Sequence, residues 1–533
     1  MFHNKLTIYT LIFINLFFIN TGSFSQNFQN KDFSKKEIIA VPNFEKVKNK
    51  LPEPILEENK EWLDLYWLAW KIAFSNIKAP QSSSPLVTSW IDEGLTEQIF
   101  QWDTNLMTMF GRYAFHIFPF VKSNDNFYAA QHADGMICRV INELDGTDHE
   151  WGQGENLARA INPPLFGWSE IETYMFTGDV SRLKKILPTL EKYAKWIEIN
   201  RTDSKTEHKL YWSNGQASGM DNTARDNDRT LPLKGGGKHS AYDPMGWVDL
   251  SSQMVMFYNH LSFICEKTGE QQKSIYYKNL ATNKTELINK YMWNDSTGLY
   301  HDITPDCVQT PWKTVASFWP MVAQISSKEQ AEKLVANILN PSLFWRPLPL
   351  PSLAADEKQY DVNGRYWLGS VWAPTSYMVV KGLNIYGYNE TASTIAEKFL
   401  NSMYQVYLST GTIWETYSPE MFMPATNATG KYMCQKDFVG WSGLVPISML
   451  IEDIIGIDVN APENVITWRI QRKDKHGLKK LRFGKTITSL EISKKQNDTS
   501  RIISVISNRP YTLTINNENY QINTGKNSIS VNL

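Results

Sequence analysis

The chain has 533 residues, with 54 lysines and arginines against 55 aspartates and glutamates, and a formal net charge of −1. This balance argues against a nucleic-acid-binding protein, because binding to phosphates requires a basic surface. A hydrophobic fraction of 42% and a charged fraction of 20% are equally wrong for a disordered or fibrous chain. Aromatic residues make up 13% of the chain. They fill large cores, and they also stack on the apolar faces of sugar rings.

Residues 1–25 have the pattern of a secretory signal peptide. Lys5 precedes the apolar run 6–19, and small residues at Ser23 and Ser25 mark a cleavage site after residue 25. The run is too short and too interrupted for a membrane span, which needs about 20 apolar residues. We therefore expect a periplasmic or secreted protein that is not inserted in a membrane after cleavage.

The rest of the chain divides into three regions. Residues 26–52 are polar and rich in lysine, which indicates a leader on the surface, and residues 53–460 have a helical hydrophobic period. Residues 461–533 alternate in the manner of β-strands, and turn residues occur at 516–519. The strands predicted in this last region are 486–492, 501–506, 511–515 and 528–531. We predict a mainly α-helical domain followed by a small β-sandwich-like domain.

Helical periodicity covers most of the middle region. Trp62, Leu65 and Tyr66, for example, follow the i, i+3, i+4 spacing of a helix with one buried face. Pro188 indicates a kink or a short first segment in one helix. The predicted helices lie near residues 57–77, 104–119, 125–142, 166–177, 180–199, 246–268, 270–293, 312–323, 327–339, 371–386, 390–407 and 439–456. Their number and their long aromatic- and glycine-containing loops fit six helical hairpins closed into a toroid around a central cavity.

The four cysteines, Cys138, Cys265, Cys307 and Cys434, are far apart in the sequence. They form no C-x-x-C pair, so we expect no metal site built from them. Cys138 and Cys265 lie in apolar helical patterns and are predicted to be buried thiols. One disulfide is compatible with an exported chain, but the sequence identifies no pair.

Several common catalytic signatures are missing from the sequence. It has no phosphate-binding P-loop, no H-E-x-x-H zinc motif and no G-x-S-x-G nucleophile elbow. The glycine run 235–237 follows no predicted strand, and a surface loop explains it better than a phosphate site does. What remains is a set of loops in which tryptophan, glycine and carboxylate residues cluster.

Two of these loops lie in the first half of the chain. Trp102 and Asp103 lie at the start of a predicted helix, where Asp103 either caps the helix or accepts hydrogen bonds from sugar hydroxyls. Residues 218–222, SGMDN, place a glycine before Asp221 and can hold an acid over a cavity. The alternative there is a turn in which Asp221 or Asn222 bonds nearby backbone.

A third loop, residues 363–372, has the sequence NGRYWLGSVW. Trp367 and Trp372 are five positions apart and cannot share one helical face. We therefore expect a loop that enters a helix near residue 371 and presents both indole rings and Arg365 to a cavity.

The fourth and fifth loops lie close together in the sequence. Residues 412–420, TIWETYSPE, place Glu415 beside Trp414, and an apolar setting of this kind raises a carboxyl pKa or orients a base. Residues 438–443, FVGWSG, bring Trp441 to the start of the last long helix.

Taken in order, the five loops resemble motifs of the glycoside hydrolases grouped with trehalase, family 63 glucosidases and mannosylglycerate hydrolase. The resemblance covers about residues 57–457 and implies an (α/α)6 toroid. The similar segments are QWD at 101–103 (the group's W-D motif), SGMDN at 218–222 (the general-acid segment), RYWLGSVW at 365–372 (Y-W-R-G-P-V-W), WETYSPE at 414–420 (E-x-Y-x-P-x-T-G) and GWS at 440–442 (G-W-[ST]).

The resemblance implies a role for each residue. Asp221 is the expected general acid and Glu415 the expected general base of an inverting glycosidase. The expected substrate-binding residues are Trp102, Asp103, Arg365, Trp367, Trp372, Trp414 and Trp441. The substrate is expected to be an α-glucoside or a related short oligosaccharide. We expect a monomer that needs no cofactor and no metal.

The chain departs from the family pattern at the predicted sugar pocket. Leu368 and Ser370 replace the usual arginine and proline, and Met421-Phe422 replaces a Thr-Gly pair. Residues 222–225, NTAR, lack the common N-S-P-R pattern. The substrate therefore does not carry over from any one relative.

Asp221 and Glu415 are 194 positions apart, so only the tertiary structure can make them face each other. Inversion requires a separation of roughly 6.5–9.5 Å between the carboxyl groups, and retention roughly 5–5.5 Å. We expect Asp221 to keep its proton, and Glu415 to stay ionised with help from Arg365. Glu420 is the rival base.

Two other functions use a similar scaffold. A polysaccharide lyase on an α/α toroid would rely on tyrosine, histidine and arginine side chains near an acidic sugar. A non-catalytic sugar-binding protein would keep the tryptophans and tolerate the loss of Asp221.

Overall fold

The computed structural model describes residues 30–148, 159–227, 245–493 and 500–532. The predicted signal peptide 1–25 and the glycine run 235–237 lie outside these ranges. Within them, no helix is both long enough and apolar enough to span a bilayer.

Helices dominate the chain up to residue 455. In chain order they are α1 Phe44–Val47, α2 Trp62–Ser75, α3 Gln101–Gly111, α4 Asn124–Ala129, α5 Phe166–Thr177, α6 Val180–Asn200, α7 Gly215–Ser218, α8 Val248–Thr268, α9 Gln271–Tyr291, α10 Trp319–Val322, α11 Lys328–Ile338, α12 Ala373–Ile385, α13 Asn389–Thr410 and a π-helix Val445–Ile455.

Six of these helices form a closed inner ring. Contacts run from α3 to α5, α8, α10, α12 and the π-helix, which returns to α3. Every residue of α3 and of the π-helix is buried, as expected for helices surrounded by protein. Outer helices cover the ring, with α6 and α9 on α8, and α13 on α12 and the π-helix. The predicted toroid of helical hairpins is confirmed.

Helix α6 differs from its prediction at Pro188. The sequence indicates a kink or a short first segment, but α6 runs continuously through the proline. An interior proline costs roughly 3 kcal/mol. Leu183, Ile186 and Leu190 are fully buried along the same helix, and burying side chains of this size contributes about 1.5–3 kcal/mol each. Packing of the apolar face therefore outweighs the lost hydrogen bond.

The helix predicted over 125–142 is wrong beyond Ala129, where α4 ends. Residues 140–142 instead form a strand that pairs with 98–100, so a non-local contact overrides the helical period. Gly135 shapes the connection, because its φ is +106° and a Cβ there would lie 2.5 Å from the Lys192 carbonyl oxygen. Cys138 is therefore buried in a loop, and all four cysteines are free thiols rather than a disulfide.

Residues after the π-helix form two sheets together with one strand from the start of the chain. The strands of the whole structure are β1 Glu53–Leu56, β2 Ile77–Lys78, β3 Trp90–Ile91, β4 Gln98–Phe100, β5 Val140–Asn142, β6 Trp293–Asn294, β7 Leu299–Tyr300, β8 Ile457–Asn460, β9 Val465–Trp468, β10 His476–Phe483, β11 Thr486–Ile492, β12 Ser500–Ser507, β13 Tyr511–Ile515, β14 Glu518–Ile522 and β15 Gly525–Asn532. One sheet has the order β1-β10-β11-β12-β15 and the other β14-β13-β9-β8.

The four strands predicted in this region are present as β11, β12, β13 and β15. Asn516 and Asn517 both have positive φ, of 48° and 66°, and join β13 to β14 as a two-residue hairpin turn. Two further strands, β1 and β8, come from the region predicted to be helical. The leader is also held more tightly than its polar sequence suggests, because Phe33 and Leu51 are buried in the core.

A cluster of buried ion pairs joins α12 and the π-helix to the C-terminal end of α3. Glu452 of the π-helix accepts hydrogen bonds from Arg112 at 2.6 Å and from Tyr377 at 3.0 Å, and it pairs with Lys381. Burial alone would raise the pKa of Glu452, but the charges of Lys381 and Arg112 lower it to about 2. The cluster lies ten residues, or about 15 Å, along α3 from Trp102.

Candidate active site

The predicted loops converge at one end of the toroid, where the inner helices begin. Trp102 lies in the first turn of α3, Trp247 and Trp372 immediately precede α8 and α12, and Trp441 precedes the π-helix. The inner helices of a helical toroid share one direction, so their N-terminal ends meet on one face.

Four of the predicted tryptophans form one cluster. Trp367 stacks on Trp372 with ring centroids 4.1 Å apart and an angle of 4° between the rings. Trp441 lies 5.4 Å from Trp102 and 5.5 Å from Trp372. Residues far apart in sequence thus build a single aromatic wall beside the predicted catalytic loops.

Two further predicted substrate-binding residues, Trp414 and Arg365, have hydrogen-bond partners outside the tryptophan cluster. The Trp414 indole donates a hydrogen bond to Thr410 at the end of α13, at 3.0 Å. Arg365 is exposed, and its guanidinium lies near the Ala428 carbonyl at 3.5 Å. The roles of Trp414 and Arg365 in binding the sugar stay predictions, and the groups that contact the Glu415 carboxylate are Tyr366 and the Gln435 backbone.

Glu415 is buried, and other groups hold its carboxylate. The Tyr366 hydroxyl donates to one oxygen at 3.1 Å and the Gln435 backbone N–H to the other at 3.0 Å. The Trp441 indole donates to the Glu415 carbonyl at 2.9 Å. Burial raises the pKa of Glu415 to about 7, although the Gln435 and Tyr366 bonds lower it. The buried setting therefore places the pKa of Glu415 near neutral pH, and the expectation that Glu415 is ionised as the base stays a prediction.

The loop that carries Asp221 is shaped by its neighbours. Gly219 has a φ of +76°, and a Cβ there would lie 2.6 Å from the Trp102 ring, so only glycine fits. The Asn222 side chain accepts from the Trp367 N–H at 2.8 Å and donates to the Arg365 carbonyl at 3.1 Å. Asn222 therefore links this loop to the third predicted loop. Its side chain bonds this distant segment rather than the nearby backbone of a local turn.

Arg225 holds the same loop in place through buried ion pairs. Its guanidinium pairs with Asp249 at the start of α8, at 2.6 Å, and with Asp302 at 3.2 Å. It also lies over the Trp247 ring, 4.3 Å from the centroid. All three charged side chains are buried, and a network of this kind fixes the loop that presents Asp221.

Three carboxyl groups share one electrostatic environment, although Asp221 and Glu415 are so far apart in sequence. Burial raises the pKa of Asp103 well above its usual value, and the charges of Glu415 and Asp221 raise it further. The Asp221 charge also raises the pKa of Glu415. Asp103 is not a helix cap, because α3 begins two residues earlier. The contacts agree, because Gly219 packs on the Trp102 ring, Trp102 lies 5.4 Å from Trp441, and the Trp441 indole bonds the Glu415 carbonyl. The three carboxyl-bearing segments therefore meet around Trp102 and Trp441.

Sequence reasoning missed three residues of this site. Tyr366, which donates a hydrogen bond to Glu415, lies in the third predicted loop, so the motif of that loop could have identified it. Arg139 is buried and its positive charge lowers the pKa of Asp103, but it lies in the segment mispredicted as helix. Glu93 is fully buried near Asp103, its carboxylate oxygens have no hydrogen-bond partner among the described residues, and no motif marked it.

The rival base Glu420 belongs to a separate ion pair. It accepts hydrogen bonds from Arg346 and from the Tyr360 hydroxyl, both at 2.6 Å. Burial opposes the effect, but the bonds to Arg346 and Tyr360 lower the pKa of Glu420. This geometry makes Glu415, not Glu420, the better candidate base.

Comparison with known proteins identifies the family. The model of the mannosylglycerate hydrolase MGH1-like glycoside hydrolase domain matches residues 122–430, more than half of the chain. The chain belongs to this family. It is therefore a glycosidase, and the matched segment contains Asp221, the third loop and Glu415.

Individual relatives are more distant. A protein of Borreliella burgdorferi described as uncharacterized is 27% identical over 407 residues, covering 74% of this chain and 78% of the relative. The family 63 mannosylglycerate hydrolase from Thermus thermophilus, solved in complex with glucose, superposes with a TM-score of 0.54 at 18% identity, covering 72% of this chain and 98% of its own. Neutral trehalase from Saccharomyces cerevisiae gives 0.51 at 17% identity, over 68% of this chain and 73% of its own. Both structures share the toroidal fold.

Proposed function

We propose that the glycosidase is exported and inverts the anomeric configuration of an α-glucoside or a related short α-linked oligosaccharide. The observation that carries the proposal is the shared site of Asp221 and Glu415 beside an aromatic wall. The charge of Asp221 affects the pKa of Glu415, which is itself buried. Hydrolysis of a glycoside needs two such carboxyl groups, one as acid and one as base.

In the proposed reaction, Asp221 donates its proton to the glycosidic oxygen as the bond to the anomeric carbon breaks. Glu415 accepts a proton from a water molecule, whose oxygen attacks the anomeric carbon from the opposite face. Asp103 accepts hydrogen bonds from sugar hydroxyls, and Trp102 and Trp441 cover the apolar face of the ring. The buried setting of Glu415 supports its role as base, because a pKa near the working pH suits proton transfer.

The sequence supports export, through the signal pattern of residues 1–25. Leu368 and Ser370, where the chain departs from the family pattern, lie close in sequence to Trp367 in the aromatic wall. We therefore expect the preferred sugar to differ from that of individual family members. An α-linked glucose unit is the proposed substrate because the motifs match those of glucosidases and trehalase.

A panel of five α-linked glucose disaccharides (1→1, 1→2, 1→3, 1→4 and 1→6), assayed from pH 5 to 9, tests the proposal. We expect release of glucose from at least one of them. Because Glu415 acts only when ionised and its pKa is raised to about 7, kcat/KM should rise with pH through about 7. Below that, it should fall about tenfold per pH unit. Absence of glucose release, or a pH profile that is flat from 5 to 8, contradicts the proposal.

A further inference from the structure

Large exposed apolar side chains are concentrated in one short segment beside the site. Tyr432 is 70% exposed and Phe422 59% exposed, and Met421 and Met433 are exposed as well. Soluble proteins rarely expose several large apolar side chains together, and an exposed apolar patch with a polar border usually marks a binding site. Part of this segment, Met421-Phe422, is also where the sequence departs from the family pattern. The proposed catalytic reaction uses none of these side chains.

The segment forms a hairpin attached directly to the candidate base. Thr426 and Met433 face each other across the hairpin, and Cys434 N–H bonds the Ala425 carbonyl at 2.9 Å. Its second strand runs along Glu415, whose carboxylate accepts the Gln435 N–H at 3.0 Å. Because a strand rises about 3.3 Å per residue, Tyr432 lies roughly 10 Å from that contact.

The turn of the hairpin reaches the loop of the candidate acid. Arg365 N–H donates to the Thr426 hydroxyl at 3.2 Å, and its guanidinium lies near the Ala428 carbonyl. The Arg365 carbonyl accepts from Asn222, the neighbour of Asp221, at 3.1 Å. Residues 421–435, which we call the rim hairpin, therefore contact Glu415 directly and the loop of Asp221 through Arg365.

We infer that the rim hairpin is the subsite for the sugar on the leaving-group side of the cleaved bond, with Tyr432 stacking on its apolar face. The inference rests on the proposed function. The leaving group must lie on the side of the acid, since Asp221 protonates the oxygen that leaves, and the turn of the rim hairpin lies on that side. The occupant is a pyranose ring of an α-linked oligosaccharide.

The size and composition of the surface favour a sugar over a protein partner. Tyr432, Phe422, Met421 and Met433 are only 42–70% exposed, so together they offer less than the about 800 Å² on each side that a stable protein interface needs. Around Tyr432 the rim hairpin exposes polar residues, Thr429, Lys431 and Gln435. One flat aromatic ring bordered by hydrogen-bonding groups matches a pyranose, which has an apolar face and hydroxyls at its edge.

Tyr432→Ala tests the inference on two kinds of substrate. α-Glucosyl fluoride carries no second sugar, and the α-linked glucose disaccharides do. We expect the ratio of kcat/KM for the best disaccharide to kcat/KM for the fluoride to fall at least tenfold in Tyr432→Ala, and to be largely restored in Tyr432→Phe. The matched control is Tyr276→Ala, which removes a tyrosine that is 58% exposed on the outer helix α9 and should leave the ratio unchanged.

Calorimetric titration of the same disaccharides into Asp221→Asn protein, with and without Tyr432→Ala, gives a readout that does not need turnover. Weaker binding with Tyr432→Ala supports the subsite even if the wild type hydrolyses nothing, which would overturn only the proposed function. An unchanged ratio together with unchanged binding overturns the subsite. So does a shift of the sedimenting species from dimer to monomer in Tyr432→Ala with no effect on binding, because the surface would then join two copies of the chain.

Discussion

Glu415→Gln is expected to lower kcat by a factor of about 10²–10⁴ on every substrate, because the variant has no base to take the proton from water. The substitution keeps the shape of the side chain, and the amide oxygen can still accept the bond from Tyr366 or from Gln435. The variant also removes a buried carboxyl group, whose pKa is raised by burial to about 7 and whose ionised form is therefore unfavourable in the folded protein. Its thermal unfolding temperature at pH 8 should therefore not fall. Initial rates and a thermal melt measure the two effects.

Glu420→Gln is the matched control for this prediction. It removes a carboxylate from the same loop but breaks only the partly exposed contacts with Arg346 and Tyr360. A pair of this kind contributes about 0–1 kcal/mol, so we expect a small loss of stability and a kcat close to that of the wild type. If Glu420→Gln loses turnover while Glu415→Gln keeps it, the base is assigned to the wrong residue.

Asp221→Asn is expected to lower kcat/KM on the disaccharides by a factor of about 10²–10⁴, because no acid then protonates the leaving oxygen. Fluoride leaves as an anion without prior protonation, so hydrolysis of α-glucosyl fluoride should fall much less, by roughly tenfold or under. Glu415→Gln should instead lose both activities. Parallel assays of the two variants on the two substrates therefore separate the role of acid from that of base.

Equal losses on the fluoride and on the disaccharides in Asp221→Asn would contradict the assignment of the acid. That result would indicate a role for Asp221 in binding the sugar or in holding the loop. Circular dichroism and titration of glucose into the variant are the controls, since Arg225 and Asn222 hold the loop independently of Asp221.

The toroid can be predicted from the sequence because helical periodicity is a local property. Helix α5 is predicted at its observed bounds, Phe166–Thr177, since its apolar positions repeat regularly up to Gly178. The prediction for segment 125–142 fails because its apolar residues serve a strand pair with residues 98–100. The sequence also does not show that burial of its apolar face keeps α6 continuous through Pro188. Both features depend on packing between distant parts of the chain.

The site is predicted unevenly for a related reason. Motifs locate Trp102, Asp103, Trp367, Trp372 and Trp441, which the fold brings together, because aromatic residues next to glycine and carboxylate are visible in the sequence. The direction of a side chain is not visible, so the sequence does not reveal that the Arg365 guanidinium lies near the Ala428 carbonyl or that the Trp414 indole bonds Thr410. Arg139 and Glu93 are missed because each reaches the site from a segment without a motif.

The anomer of the first product tests the central claim most directly, since it depends on Asp221 and Glu415 acting on opposite faces of one sugar. Proton NMR should follow the hydrolysis of an α-linked glucose disaccharide, with spectra recorded before mutarotation equilibrates the product. We predict that β-glucose accumulates first from the non-reducing unit and that the α-anomer appears only as mutarotation proceeds. Initial accumulation of α-glucose in excess of the anomeric mixture released with the reducing unit would contradict the account, because it would require a covalent intermediate and carboxyl groups roughly 5–5.5 Å apart.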